Sequence, residues 1–383
     1  MRWNWQLPEW PDFFWNRARF LNAEALFLFE AGSYAGTAKH LGAADREQLT
    51  VEAMSSEALT TSEIEGEVLD RVSVQSSIRR QLGLVTDRRK VGAAEQGVSE
   101  MMVDLHHGFA EPLSHEMLFR WHRMLTLGRR DLKKVGAYRT HVEPMQVVSG
   151  AIHDPRVHFE ALPSASVLAE MSRFIDWFNR SAPGSTEALP ALTRAGIAHL
   201  YFVCVHPFED GNGRIGRAIV EKVLAQSLGR PTQLALAATI LAKRNAYYNA
   251  LEANNKHQEV TPWLAWFAAT VIEAQRRSIA AVDFLIDKTR LLDRLRDQLN
   301  DRQMKALLRM LREGPDGFEG GLSAGKYIGI TGASPATATR DLADMVARNA
   351  LVRSGEQRHT RYALALPLRP VSPVEIAERG NIV

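Results

Sequence analysis

A mainly α-helical fold, with one small β-hairpin and a C-terminal winged-helix domain, is what this sequence predicts. Three observations carry the prediction. Long stretches free of Pro and Gly repeat their apolar residues every three or four positions, the period of a helix with one buried face. Residues 137–160 instead break into short apolar runs around Ser149-Gly150 and Asp154-Pro155, the punctuation of a hairpin. Beyond residue 298, three short helical segments are followed by two strand-like runs.

The 383 residues leave room for two or three domains. Apolar residues at 45% and charged residues at 24% are ordinary for a soluble protein, and a net charge of +3 does not by itself argue for nucleic acid. The first twenty residues hold Trp3, Trp5, Trp10 and Trp15, punctuated by Pro8 and Pro11, and read as an extended arm that packs by aromatic burial. Helical periodicity runs from about 21 to 135, clearest over 91–108 and 115–127. The hairpin follows, with Val147, Val148, Ile152, Val157 and Phe159 as apolar positions. The helical pattern returns at 164–180 and 188–205 and runs to about 290. Residues 299–312, 323–330 and 335–348 then read as three helices, and 351–353 and 362–364 as strands. That order is the order of a winged helix. The N-terminus lacks a signal-peptide core, no eighteen-residue apolar run occurs, and Cys204 is the one cysteine. The expectation is a cytoplasmic protein with no membrane span and no internal disulfide.

The chemistry concentrates in residues 206–217, His-Pro-Phe-Glu-Asp-Gly-Asn-Gly-Arg-Ile-Gly-Arg. The apolar run 195–205 predicts a buried helix that stops at His206, because Pro207 disfavours helical backbone in the residue before it. The loop that follows contains Gly211-Asn212-Gly213 and leads into a second helix. Glycines let successive N–H groups turn into one concavity, and the helix N-terminus adds partial positive charge, so the segment suits an anion. Arg214 and Arg217 share a face in the first turn, where cations oppose the helix dipole; they make better sense as polyphosphate ligands. His206 has the titration range of a general base, Asp210 offers a hard oxygen for Mg²⁺, and Phe208 anchors the loop. His199 and Cys204, within the apolar run, read as structural.

This block resembles the Fic-domain motif His-Pro-Phe-x-(Asp/Glu)-Gly-Asn-Gly-Arg-x-x-Arg at every specified position. The resemblance implies a Fic helical core with a small β-hairpin flap, and transfer of AMP from ATP to a Ser, Thr or Tyr hydroxyl of a protein. It implies His206 as the base, Asp210 as the Mg²⁺ ligand, and Gly211, Asn212, Gly213, Arg214 and Arg217 as the phosphate cradle. The flap, with Val157, His158 and Phe159, would pair with the target's backbone as an added strand. Tyr247-Tyr248-Asn249-Ala250-Leu251 resembles the family's Tyr-Tyr-x-x-Leu element, which points to Tyr248 and Asn255 as nucleoside contacts.

Upstream, Thr61-Ser62-Glu63-Ile64-Glu65-Gly66 is similar to the family's inhibitory pattern (Ser/Thr)-x-x-x-Glu-(Gly/Asn). The resemblance implies that Glu65 pairs with Arg217, denies it to the γ-phosphate and leaves the α-phosphorus misaligned; in some relatives the same glutamate instead helps remove AMP. The Trp-rich arm resembles an N-terminal region of many bacterial members. The expected division is 1–110 for the arm and a regulatory region, 111–290 for the catalytic core, 291–370 for the winged-helix-like module and 371–383 for a tail. In that module Thr337, Thr339 and Arg340 could meet DNA, with Arg358–Tyr362 as the wing. Residues 301–383 carry 12 Lys/Arg against 9 Asp/Glu, a weak basic footprint, so protein docking or homodimer formation is favoured over DNA. The alternatives are a DNA-binding regulator whose core senses nucleotide, against which the intact His206 argues since a sensor needs no base, and, as the resemblance also implies, a Fic enzyme with another nucleotide donor or with de-AMPylating activity.

Overall fold

A computed structural model describes residues 2–39, 41–87, 89–151 and 154–383; Ile152, read above as a hairpin position, lies outside the described residues. The chain divides into two compact units, Met1–Gln275 with Pro373–Val383, and Arg276–Ser372.

The first unit begins with the aromatic arm and then α1 (Leu21–Ala38), α2 (Ala43–Ile64), α3 (Arg71–Gln81), α4 (Ala93–Gly108) and α5 (His115–Leu125). The antiparallel hairpin β1 (Gln146–Ala151) and β2 (Asp154–Glu160) follows, its register broken between Val147 and Val148. Next come α6 (Ser164–Arg180), α7 (Ala191–Val205), α8 (Asn212–Leu228), α9 (Leu236–Ala242), α10 (Arg244–Asn254) and α11 (Thr261–Arg294), the last ending in the second unit. α7 is buried nearly all round, mostly by apolar residues, and is the centre, with α1, α6 and α8 packed against it. α2 buries Val51, Met54, Ala58, Thr61 and Ile64, a three-to-four spacing that lays one face on its neighbours α3, α4, α8 and α9.

The arm packs on this core. The Trp3 ring meets Phe159 edge-on at 5.4 Å, the Trp5 indole N–H donates to the Glu160 carbonyl at 2.6 Å, and the Asn4 N–H donates to the Asn255 carbonyl at 2.9 Å. The arm thus braces β2 and the end of α10 from behind. Residues 126–135, read as the end of a helical stretch, are turn and irregular backbone instead. Gly128 lies within them and Gly136 follows, and besides the Arg129–Asp131 pair their polar groups bind the motif loop.

The second unit holds α12 (Asp301–Leu311), α13 (Ala324–Thr331), α14 (Pro335–Ala347) and the antiparallel pair β3 (Leu351–Ser354) and β4 (Arg361–Leu364). Its own core includes Leu307, Met310, Tyr327, Leu342, Met345 and Leu351. The described helices include none long and apolar enough to cross a membrane.

Candidate active site

α7 delivers His206 at its C-terminal end. His206 takes the left-handed conformation, φ 50° and ψ 59°, which costs a residue with a β-carbon on the order of 1 kcal/mol. Its Nδ1 faces the Val203 carbonyl at 3.3 Å, so that nitrogen carries the proton and Nε2 keeps a lone pair. Burial pushes the imidazole down to about 4, against the Val203 bond; the Arg139 cation works the same way as burial, and the Glu65 and Asp210 carboxylates oppose it. His206 is therefore neutral at pH 7.

The loop after it is tied from within. Phe208 is buried, its ring stacked on His122 with centroids 4.3 Å apart. The Asn212 side chain accepts from the Phe208 N–H and donates to the Phe208 carbonyl, both at 2.9 Å. Gly211, at φ 81°, makes the turn into α8 that a side chain would resist. Asp210 accepts from the Gly211 N–H at 2.7 Å and from the Arg129 guanidinium at 2.6 Å, with Arg214 at 3.6 Å. Burial works against its charge, but the Gly211 N–H and these two cations hold it below the usual carboxylate range.

α8 opens with no side-chain cap and no acidic residue in its first turn. Two buried arginines stand there instead. Arg217 donates from Nε to the Thr61 hydroxyl at 2.6 Å, and from Nη2 to the Thr61 carbonyl and to Glu65 Oε1, both at 2.8 Å. Arg214 donates to Glu67 at 2.7 Å. Among the described residues, Arg217 Nη1 and Arg214 Nε are buried donors without a hydrogen-bond partner. Burial disfavours the Arg217 charge, yet the Glu65 carboxylate keeps it above the ordinary arginine value. A Cβ placed on Gly213 would fall inside the Glu65 carboxylate and lie 3.2 Å from Arg217 Nη1. The bare backbone there is a cradle that Glu65 occupies.

A cleft of about 500 Å³ joins these groups to the hairpin and α10; Glu65, His206 and Gly213 line one part, and Ser149, His158, Tyr248 and Asn255 another. Asn255 is buried, donates to the His158 carbonyl at 3.2 Å, and leaves its own Oδ1 without a partner. Tyr248 is partly exposed, with the Arg244 guanidinium over its ring. His158 lies between Ser149 Oγ at 2.6 Å and Glu252 Oε2 at 2.7 Å. Val157 is exposed, whereas Phe159 is buried against Trp3. Gly66 follows Glu65 and returns its N–H to the Glu63 carbonyl at 2.9 Å, ending α2.

The structure thus brings together His206, Asp210, Gly211–Gly213, Arg214, Arg217, Thr61 and Glu65, and places Tyr248, Asn255 and His158 on the same cleft. His199 and Cys204 are core groups: His199 bonds the Tyr247 hydroxyl at 2.8 Å, and burial pushes the Cys204 thiol up to about 12. Four residues escaped the sequence reading: Arg129 on Asp210, Glu67 on Arg214, Glu252 on His158, and Arg139, which donates to the His206 carbonyl at 2.7 Å. Glu67 alone had a local signal, lying two residues past Glu65.

Residues 112–224 match a family model described as the Fic/DOC family, and residues 3–84 match a domain of unknown function, DUF4172. Protein adenylyltransferase fic-1 of Caenorhabditis briggsae is 30% identical over 170 residues, 44% of this chain and 29% of that protein. Its namesake in Caenorhabditis elegans is 28% identical over 172 residues, 45% and 30% of the two chains. The matched region is thus under a third of the length of either relative. A crystal structure of a Fic family protein from Desulfovibrio desulfuricans G20 aligns over 92% of this chain and 98% of its own, with a TM-score of 0.54 and 20% identity. A Fic domain containing signaling protein from Bacteroides thetaiotaomicron aligns over 67% and 96%, with a TM-score of 0.50 and 18% identity. At that identity the likeness is one of fold.

Proposed function

Taking as premise that the chain carries a Fic/DOC domain, we propose that it transfers AMP from ATP to a hydroxyl side chain of a protein, itself included, and that Glu65 restrains the transfer. The observation that carries the reading is a neutral His206 beside an uncapped helix end with two buried arginines.

The acceptor hydroxyl gives its proton to His206 Nε2 as its oxygen attacks the α-phosphorus. The bond to the bridging oxygen of the β-phosphate breaks, and pyrophosphate leaves. Arg214, Arg217 and the N–H groups of the Gly211–Gly213 turn hold the departing charge. Tyr248 and Asn255, at the other part of the cleft, hold the nucleoside, and the unpartnered Asn255 Oδ1 is an acceptor for it. The hairpin, with His158 on the cleft, Val157 exposed and Phe159 anchored against Trp3, docks the target's backbone.

Asp210 suits Mg²⁺: a lone hard carboxylate is enough when nucleotide phosphates supply the other oxygens. Bound there, the ion would neutralise phosphate charge; Asp210 would have to exchange Arg129 for it. Restraint has a simple physical basis. Glu65 saturates one edge of Arg217 and places an anion over the Gly213 cradle, where a phosphate belongs. ATP bound around that carboxylate is displaced, and about 1 Å of displacement costs about 10²-fold in rate.

The test uses Glu65→Gly protein with Mg²⁺ and ATP labelled at either the α or the γ position. Covalent label from the α position, with pyrophosphate released, supports AMP transfer. Label from the γ position, or from neither, sinks it.

A further inference from the structure

Arg139 is a cation buried to 1% exposure with no carboxylate on it among the described residues. Burying an unpaired charge is costly, so its surroundings must compensate. They do so with oxygens. Nε donates to the His206 carbonyl at 2.7 Å, Nη2 to the Leu162 and Val205 carbonyls at 2.6 and 3.3 Å, and Nη1 to Ser164 Oγ at 2.7 Å. The Arg139 backbone N–H takes the Pro207 carbonyl at 2.9 Å. The carbonyls of Val205 and His206 end α7, where the helix dipole is negative, and they stand in for a counter-ion. Burial lowers the guanidinium to about 10, which leaves it charged at neutral pH.

The acceptors fall in two groups. Val205, His206 and Pro207 are consecutive and form the left-handed turn that carries the ring. Leu162 and Ser164 lie just after β2, at the foot of the hairpin. One planar fork therefore fixes the strained backbone at His206 and ties it to the hairpin's root. An ammonium, a single point of donation, cannot reproduce that fork. The charge matters separately. Among the charged groups, Arg139 and the two anions Glu65 and Asp210 act most on the imidazole. The anions favour a protonated ring, and Arg139 opposes them.

We infer that Arg139 is a positioning residue for the transfer: it holds the left-handed turn at His206 and keeps a cation behind the imidazole, so that an unprotonated Nε2 meets the incoming hydroxyl. The inference rests on the proposed role of His206 as the base. It separates into an orientation effect, which needs the fork, and a charge effect, which needs only a cation.

The experiment compares the full chain with Arg139→Lys and Arg139→Met. The His206 ring, ¹³C-labelled and assigned by its loss in His206→Gln, is titrated by NMR, and transfer is measured with each change added to Glu65→Gly. The expected result is that His206 titrates at higher pH in Arg139→Met and near its wild-type position in Arg139→Lys. Both variants lose about 10²-fold in kcat with little change in KM for ATP, and the acid limb of kcat/KM moves to higher pH only in Arg139→Met. An unchanged titration in Arg139→Met, together with an undiminished kcat in Arg139→Lys, overturns the inference. Should Arg139→Met fail to fold, Arg139→Lys decides: it keeps the cation and loses the fork, so a retained kcat refutes the orientation effect. If Glu65→Gly itself transfers nothing, the proposed function falls, and the NMR titration still judges the charge effect.

Discussion

α14 and α8 both begin where a loop enters a helix, and they treat that end in opposite ways. α14 satisfies itself: Ser334 Oγ accepts from the Thr337 N–H at 3.3 Å, and Pro335 fills the first position, where no N–H is needed. α8 has no cap, and it sets Arg214 and Arg217 against its own dipole. A side-chain cap stabilises a helix by about 1 kcal/mol, so α8 forgoes stability that α14 keeps. What α8 holds in exchange is a set of N–H groups and two buried guanidinium edges that suit an anion. Glu65 and Glu67 fill part of that role from α2 and the turn after it. On the proposed reading, the difference separates an end built to hold a helix from an end built to receive a ligand.

The comparison breaks most visibly at the base. In the Glu65→Gly background, His206→Ala should cost about 10²–10⁴-fold in AMP transfer, while a fluorescent ATP analogue still binds in an equilibrium titration. Gly213→Ala in the same background should cost about 10²-fold, because the new methyl group takes the cradle beside Arg217 Nη1; loss of analogue binding would accompany it. Glu67→Gln frees Arg214 from a partly exposed partner. Such a pair is worth at most about 1 kcal/mol, so ATP should bind up to roughly fivefold tighter by calorimetry.

The same face of α8, one turn beyond Arg217, sharpens the contrast through pH. Glu221 on α8 and Glu57 on α2 line one small cavity, and burial raises both, with Glu221 adding to the rise at Glu57. Folded-state values above the unfolded 4.5 mean that the folded chain holds protons the unfolded chain would release. Their contribution is complete below 4.5 and is lost as pH rises through the raised values. Thermal unfolding should therefore come at lower temperature at about pH 9 than at about pH 6, and Glu57→Gln should flatten that dependence. The smallest effect on activity belongs to α14: Ser334→Ala should cost the second unit about 1 kcal/mol in denaturant unfolding and leave AMP transfer unchanged.

Much of this was legible in the residues. His206, Asp210, the glycine loop and the two arginines sit within twelve consecutive positions, so their local geometry follows from a helix stop, a turn and a helix start. Glu65 was readable through its spacing from Thr61 together with the presence of that block. Arg139 and Arg129 were not, because each acts across more than sixty residues of chain and only tertiary packing brings them to His206 and Asp210. The run 126–135 misled for a related reason: its residues are compatible with a helix, but its Arg and backbone N–H groups find partners on the motif loop. Phe159 was read with Val157 and His158 as part of the flap; that Trp3 covers its ring was not legible, because the arm and β2 meet only through tertiary packing.

The central claim is that Glu65 occupies the place of a phosphate at the open end of α8. The measurement that tests it most directly is the rate of covalent label transfer from α-labelled ATP by the wild-type chain and by Glu65→Gly, side by side with Mg²⁺ and equal protein. A rate about 10²-fold higher in Glu65→Gly is the outcome predicted. Equal rates in two folded proteins would contradict it, and would leave the Glu65–Arg217 contact a structural bond without a regulatory role.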